Sequence, residues 1–498
     1  MSAYRQLEER FDRLAHLSGA AAVLQWDWAA IMPTGGAAAR ARQLAELDLI
    51  RHEIMTDAQL EDLLGEAESA RDALDPWQNA NLGEMRHRWT HANALPADLV
   101  AALSAAASDC ELVWRDARAS DDFAAFEKSF QPLLELVREK AAAKSSALGL
   151  SNYDALIDGY DPGFTCVAID VIFADLAEFL PAFLAKVLEK QGASPAPLRP
   201  EGPFPLEAQR ELSRTLMARL GFDFEHGRLD ESHHPFCGGI SEDVRITTRY
   251  DEADFTSALM AVLHETGHAL YERGLPGDWR TQPVGEARSM SLHESQSLLM
   301  EMQVCRGGEF FRFAAPLMRA AFGAAEADSA FAPDNLHRLA LRIEPGFIRV
   351  DADEVTYPAH IMLRYRLEKA MIAGDLQAVD LPGAWREGME EFLDLTPATD
   401  TEGCLQDIHW AAGEIGYFPS YTLGALIAAQ LFASARTQLG DIGDALAGGE
   451  FAGLLVWLGE AVHGQASRYP SAELIERATG RPLATDAFKA HLEARYLA

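Results

Sequence analysis

Over most of its 498 residues the chain places apolar side chains three or four positions apart, and this spacing limits its fold more than any other feature. In "DVIFADLAEFLPAFLAKVLEK", residues 170 to 190, the pattern runs unbroken. A chain patterned this way builds a mainly α body. One segment departs from it. "DVRITTRY", residues 243 to 250, is β-branched and alternating and reads as a strand. Its backbone is a candidate partner for an extended peptide, with Asp243 and Arg245 holding the strand through an ion pair. The next segment, "DEADFTSALMAVLHETGHALYERGLPG", signals a helix from about Asp254 to Arg273. Phe255, Leu259, Val262, Leu263 and Leu270 line its buried side, and Gly274 and Pro276 mark its stop.

A Pro/Gly-rich break, "QGASPAPLRPEGPFP" at 191 to 205, separates a helical N-terminal half, about 1–190, from a motif-bearing half, about 205–498. The formal net charge of -33 argues against nucleic acid and anionic membrane as partners, because phosphate binding depends on Lys and Arg. The N-terminus "MSAYRQLEERFDRL" has no apolar core of a secretory signal, which implies a cytoplasmic protein. Five cysteines without CxxC spacing suggest neither a zinc ribbon nor a disulfide framework, and read as reduced, mostly buried thiols.

His264 and His268, four residues apart on the signalled helix, project from one face and can both give a ring nitrogen to one metal ion. Glu265 adjoins the first of them, in the place of the general base of HExxH peptidases. Gly267 costs the helix about 1 kcal/mol relative to Ala, which makes sense if something must approach the backbone there. A catalytic zinc needs a third protein ligand, and Glu286, Glu294 and Glu301 are all within reach in sequence. Spacing does not choose among them. Glu294 also has a bland reading, since Ser291 and Glu294 in "SLHESQ" have capping-box spacing. A rival scheme takes Glu265 with His268 and Glu84 with His87 as the two Glu-x-x-His elements of a di-iron bundle, and leaves His264 without a role.

An ordered series of motifs extends the reading. It comprises "WDWAAIMPTGGAAARARQ", "HPF" (His234 to Phe236), "DVRIT", "HETGH", "HESQ", "IRVDADEVTY" from Ile348, "GCLQDIHW" (Gly403 to Trp410) and "GYFPSYTLG". Through these the chain resembles the M32 family of metallocarboxypeptidases, the thermostable carboxypeptidase type, over essentially its whole length. The resemblance implies a single peptidase domain over 1–498: a large helical body with a deep central groove and a small β-sheet beside the HExxH helix, similar to neurolysin and angiotensin-converting enzyme. It implies His264, His268 and Glu294 as ligands of one zinc or cobalt ion per chain, with Glu265 as general base. It also implies release of single residues from free peptide C-termini with broad specificity, and a homodimer. Two positions depart from the family's habit: Leu298, where Arg is usual, and Pro358, where a non-proline is usual.

The remaining roles follow from what a carboxypeptidase must bind. A planar guanidinium suits a free α-carboxylate, and Arg349 is assigned to it from its place in the family motif; the plain alternative is a salt bridge to Asp351, Asp353 or Glu354. His409 and Tyr421 are assigned to stabilise the developing oxyanion by analogy with related helical zinc peptidases, and Tyr417 to position substrate. His234 is a candidate groove residue, and "WDWAAIMPTGG", with Gly35 and Gly36, a candidate flap. An endo-acting helical zinc oligopeptidase stands as the nearer alternative function, and a non-catalytic or di-iron helical protein as the further one.

Overall fold

The computed structural model describes residues 2–498, and the chain is mainly helical with one three-stranded sheet. It forms two compact units, each assembled from three stretches of chain. The first takes the chain up to Trp89 together with Ala196–Leu341 and Gly424–Leu483. The second takes Thr90–Pro195, Arg342–Leu423 and Ala484–Ala498. No helix among the described residues is long and apolar enough to cross a membrane.

In the first unit the opening helix, Ala3–Ala30, turns its apolar stripe of Tyr4, Leu7, Phe11 and Leu14 onto Leu60, Leu64, Leu82 and Met85. "WDWAAIMPTGG" ends that helix and passes through a single 3-10 turn, Thr34–Gly36, into the next helix, Ala37–Met55. Trp26 is buried beneath the guanidinium groups of Arg228 and Arg245, 4.8 and 4.2 Å from its ring centroid, a cation–π arrangement that ties this helix to the sheet.

The sheet comprises β1 (Gly227–Glu231), β2 (Phe236–Ile240) and β3 (Asp243–Thr248) in the order β1-β3-β2, with β3 parallel to β1 and antiparallel to β2. The alternating "DVRIT" segment is therefore the middle strand. Its backbone is paired on both sides, so it has no free edge to offer a peptide, contrary to the expectation from sequence. The expected ion pair is present: Arg245 Nη2 lies 2.6 Å from Asp243 Oδ2. Val244 and Ile246, on the strand's other face, pack with Val262 and Ala269 of the following helix and with Met217 and Phe222.

That helix spans Phe255–Gly274, and Asp254 caps it by accepting a hydrogen bond from the Thr256 backbone N–H at 2.9 Å. The second motif helix spans Met290–Leu298 and widens into a π-helical segment, Leu299–Cys305. Ser289, not Ser291, is its N-cap, accepting from the Leu292 N–H. The capping-box reading of Ser291 and Glu294 is thus set aside: Ser291 lies inside the helix, and Glu294 is a turn beyond the start. Leu298 is buried. Pro358 falls in the first turn of the helix Tyr357–Ala373, where a missing N–H costs nothing. All five cysteines are free thiols, three of them buried.

Candidate metal centre

The four-residue spacing on the helix Phe255–Gly274 brings His264 and His268 side by side, ring centroids 5.0 Å apart. The helix Met290–Leu298 crosses this helix where Gly267 leaves room for it, and presents Glu294 to both rings. Glu294 Oε2 lies 3.8 Å from His264 Nε2 and 3.4 Å from His268 Nε2. A third helix, Pro419–Leu439, holds the carboxylate stem from the other side: a Cβ on Gly424 would stand 2.9 Å from both Cβ and Cγ of Glu294. One ligand atom from each of His264, His268 and Glu294 falls within 4.8 Å of the others. Two ligands bound to one zinc ion at tetrahedral angles stand roughly 3.4 Å apart, so the spacing suits a single ion.

The donor set suits it as well. His264 Nδ1 is engaged by Glu301 Oε2 at 2.9 Å, and Glu301 is held in turn by Arg306 at 2.8 Å. His268 Nδ1 lies 2.6 Å from His293 Nδ1. With the rear nitrogen of each ring occupied, the Nε2 atoms are the ones turned to the carboxylate, which is the arrangement of metal-binding imidazoles. Of the three acids within reach in sequence, Glu294 alone meets both Nε2 atoms. Glu301 sits behind His264, and Glu286 pairs with Arg88 at 2.6 Å. Glu84, which the di-iron scheme requires, is ion-paired with the buried Arg288.

Burial by itself would push His264 down, but the carboxylates of Glu294, Glu301 and Glu265 outweigh it and raise the imidazole to about 10. At His268 burial dominates, against the pull of Glu294, and the ring falls to about 4. Glu294, largely but not wholly buried, is brought down to about 2 because His264 and His268 overcome its desolvation. Glu265 goes the other way. Burial, with Glu294 nearby, lifts its carboxyl to about 7 despite His264. Two neighbouring acids with opposed shifts mark one as a fixed anion and the other as a group able to take and release a proton near neutrality.

The second unit holds the other residues singled out from sequence. Arg349, nearly buried, directs Nε and Nη2 to Asp407 Oδ1 at 3.0 and 2.8 Å. The fully buried Arg364 takes the other oxygen of Asp407 at 2.5 Å and donates to Gln406 Oε1 at 2.8 Å. Two guanidinium groups around one carboxylate leave a net positive charge in a buried place. The acids nearest in sequence are not the partners of Arg349: Asp353 accepts from the backbone of Val355, Thr356 and Glu344, and Glu354 binds His491 and Arg495. His409 stacks on Tyr417 with centroids 5.5 Å apart, and Tyr417 meets Tyr421 edge-on at 5.1 Å. Burial lowers His409 to about 4, so its ring is neutral, and its Nδ1 makes no hydrogen bond. In the first unit His234 lies exposed between β1 and β2, its carbonyl accepting from Ser232 Oγ.

The profile of the Carboxypeptidase Taq (M32) metallopeptidases matches residues 6–496. The chain belongs to this family. It is 39% identical to thermostable carboxypeptidase 1 of Thermus thermophilus, over all of this chain and 99% of that protein. Trypanosoma cruzi metallocarboxypeptidase 1 superposes with a TM-score of 0.97 at 41% identity, covering 99% of each chain. The M32 carboxypeptidase of Deinococcus radiodurans R1 gives 0.92 at 34% identity, covering 99% of this chain and 98% of that one. The protein is therefore an M32 metallocarboxypeptidase, a peptide hydrolase that works with a divalent metal.

Several residues of this M32 chain escaped the sequence reading. Glu272 and Arg306 stand behind the histidine pair, where Glu301, a candidate ligand from sequence, instead backs His264, and Asp407 and Arg364 stand around Arg349. Two signals were available: Glu272 is four residues beyond His268 on the same helix face, and Gln406 and Asp407 lie inside "GCLQDIHW".

Proposed function

We propose that the enzyme releases single residues from free peptide C-termini at a centre where His264, His268 and Glu294 hold one zinc ion, or cobalt in its place, with Glu265 as the general base. The observation that carries this reading is the convergence of two Nε2 atoms and a carboxylate within 4.8 Å beside a buried glutamate. Such a cation supplies Lewis-acid polarisation of a carbonyl and acidifies water to a pKa of roughly 7. Glu265 accepts the proton that attacking water loses and returns it to the departing amine, a task suited to a carboxyl lifted to about 7.

Arg349 receives the terminal carboxylate. The excess positive charge around Asp407 supports this, since one anionic group neutralises it. His409 and Tyr421 donate to the developing oxyanion, Tyr417 and His234 position the peptide, and broad specificity follows if recognition rests on the carboxylate and not on a side chain. The enzyme is taken to be cytoplasmic and to act on peptides, and the net charge of -33 argues against nucleic acid and anionic membrane as partners. The family resemblance adds a homodimer, which light scattering in solution tests.

Digestion of one peptide with a free and with an amidated C-terminus, followed by mass spectrometry, tests the activity. Stepwise loss of terminal residues from the free peptide alone is the expected result. Internal fragments from both would overturn it in favour of an oligopeptidase.

A further inference from the structure

The two histidines of the centre are held from behind by different devices. His264 Nδ1 meets a carboxylate, Glu301. His268 Nδ1 meets a second imidazole, His293 Nδ1, at 2.6 Å, and His293 Nε2 lies 2.8 Å from Glu272 Oε1. Glu272 stands one turn beyond His268 on the same helix, and His293 directly precedes Glu294 on the other. The chain of contacts therefore bridges the two helices that carry the ligands.

Its hydrogens can be assigned from one end. An ionised carboxylate only accepts, so Glu272 requires the N–H on His293 Nε2. With His293 neutral, this is its one ring proton, which leaves a lone pair on His293 Nδ1. That lone pair needs a donor, and the atom facing it is His268 Nδ1. His268 then keeps its own lone pair on Nε2, the nitrogen 3.4 Å from Glu294. In the opposite tautomer His268 would turn an N–H toward the ligand cluster and could not bind a cation there.

We propose that His293 and Glu272 are positioning residues that fix His268 in its metal-binding tautomer and orientation without touching the metal. The proposal rests on the metal-site assignment above and deepens it. Carboxylates and carbonyls are the usual partners of a ligating imidazole, and their loss typically costs roughly 10–100-fold in metal affinity. Here an imidazole stands in, and Glu272 gives it direction.

The test is Zn2+ affinity, measured by chelator competition on the full chain, for His293→Leu, His293→Asn, Glu272→Leu and Glu294→Ala. His293→Leu is expected to bind roughly 10–100-fold more weakly. His293→Asn, whose side-chain oxygen can still accept from His268 Nδ1, is expected to recover most of that loss. A purely structural His293 would give equal affinities for the Leu and Asn variants, and that result overturns the proposal. Should His293→Leu fail to fold, Glu272→Leu, at the more exposed end, carries the test: weakening of roughly tenfold supports the relay, and wild-type affinity overturns it. Glu294→Ala separates the two levels. If it keeps full affinity, the ligand assignment itself fails; if it loses zinc while the His293 and Glu272 variants do not, only the relay fails.

Discussion

Gly267 lies against the backbone of Gln296 so closely that a Cβ in its place would stand 2.4 Å from the Gln296 carbonyl oxygen and 2.6 Å from Ser297 Cα. The glycine of "HETGH" thus sets how near the helix bearing Glu294 comes to the helix bearing the two histidines. Backbone cannot yield as the tip of a side chain can. Gly267→Ala should therefore force the helices apart, destabilising the chain by about 1–3 kcal/mol by overpacking, although Ala is the better helix former. Because the shift falls between the ligands, metal affinity should drop with it. Denaturant unfolding and chelator competition on the same variant check both.

Glu265→Gln keeps the side chain's size and removes its capacity to take a proton. The variant should retain its metal and lose roughly 100- to 10,000-fold in kcat, the range of general acid–base contributions. Metal analysis and turnover of a free C-terminal peptide on one preparation give the comparison, and full activity would remove Glu265 from the role of base.

Asp407 is the carboxylate shared by Arg349 and Arg364, all three nearly or fully buried. Asp407→Asn strands two guanidinium groups away from water and should cost about 3–5 kcal/mol of stability, as loss of one partner from a buried ion pair does. Arg349→Lys keeps the charge but not the planar fork. It should raise KM for peptides with a free C-terminus more than it affects folding, and steady-state kinetics with thermal melts separates these effects.

His360 is fully buried, with the Gly346 backbone beside its ring. Burial, then the charges of Arg364 and Arg349, lower it from 6.5 to about 3, against the attraction of Asp407. Between those values the unfolded chain binds a proton that the folded chain refuses, so stability falls as pH drops through that window. The slope for such a group is about 1.4 kcal/mol per pH unit. Unfolding measured between pH 7 and 5 should show a shallower loss for His360→Gln than for the wild type.

The helices were legible because burial follows the 3.6-residue period: Asp254, Phe255 and the Gly274 stop bound a helix that forms where the sequence places it. The strand "DVRIT" was equally plain, but its central position was not, since its partners "GRLDE" and "FCGGI" carry Gly, Asp and Cys that signal no strand. His264 and His268 follow from local geometry. The placing of Glu294 between them and Glu301 behind them depends on how two helices cross, of which Gly267 is the one local trace without naming the partner, and on a π-helical turn that leaves none. The same holds for Arg349: the acids beside it in sequence are used elsewhere, and its partner Asp407 comes from 58 residues away.

The ligand set is tested most directly by metal content after exhaustive dialysis against metal-free buffer, comparing the wild type with Glu294→Ala and Glu265→Gln by elemental mass spectrometry. One equivalent of divalent metal is expected in the wild type and in Glu265→Gln, and none in Glu294→Ala. A full equivalent retained by Glu294→Ala would contradict the assignment of His264, His268 and Glu294 as the metal centre.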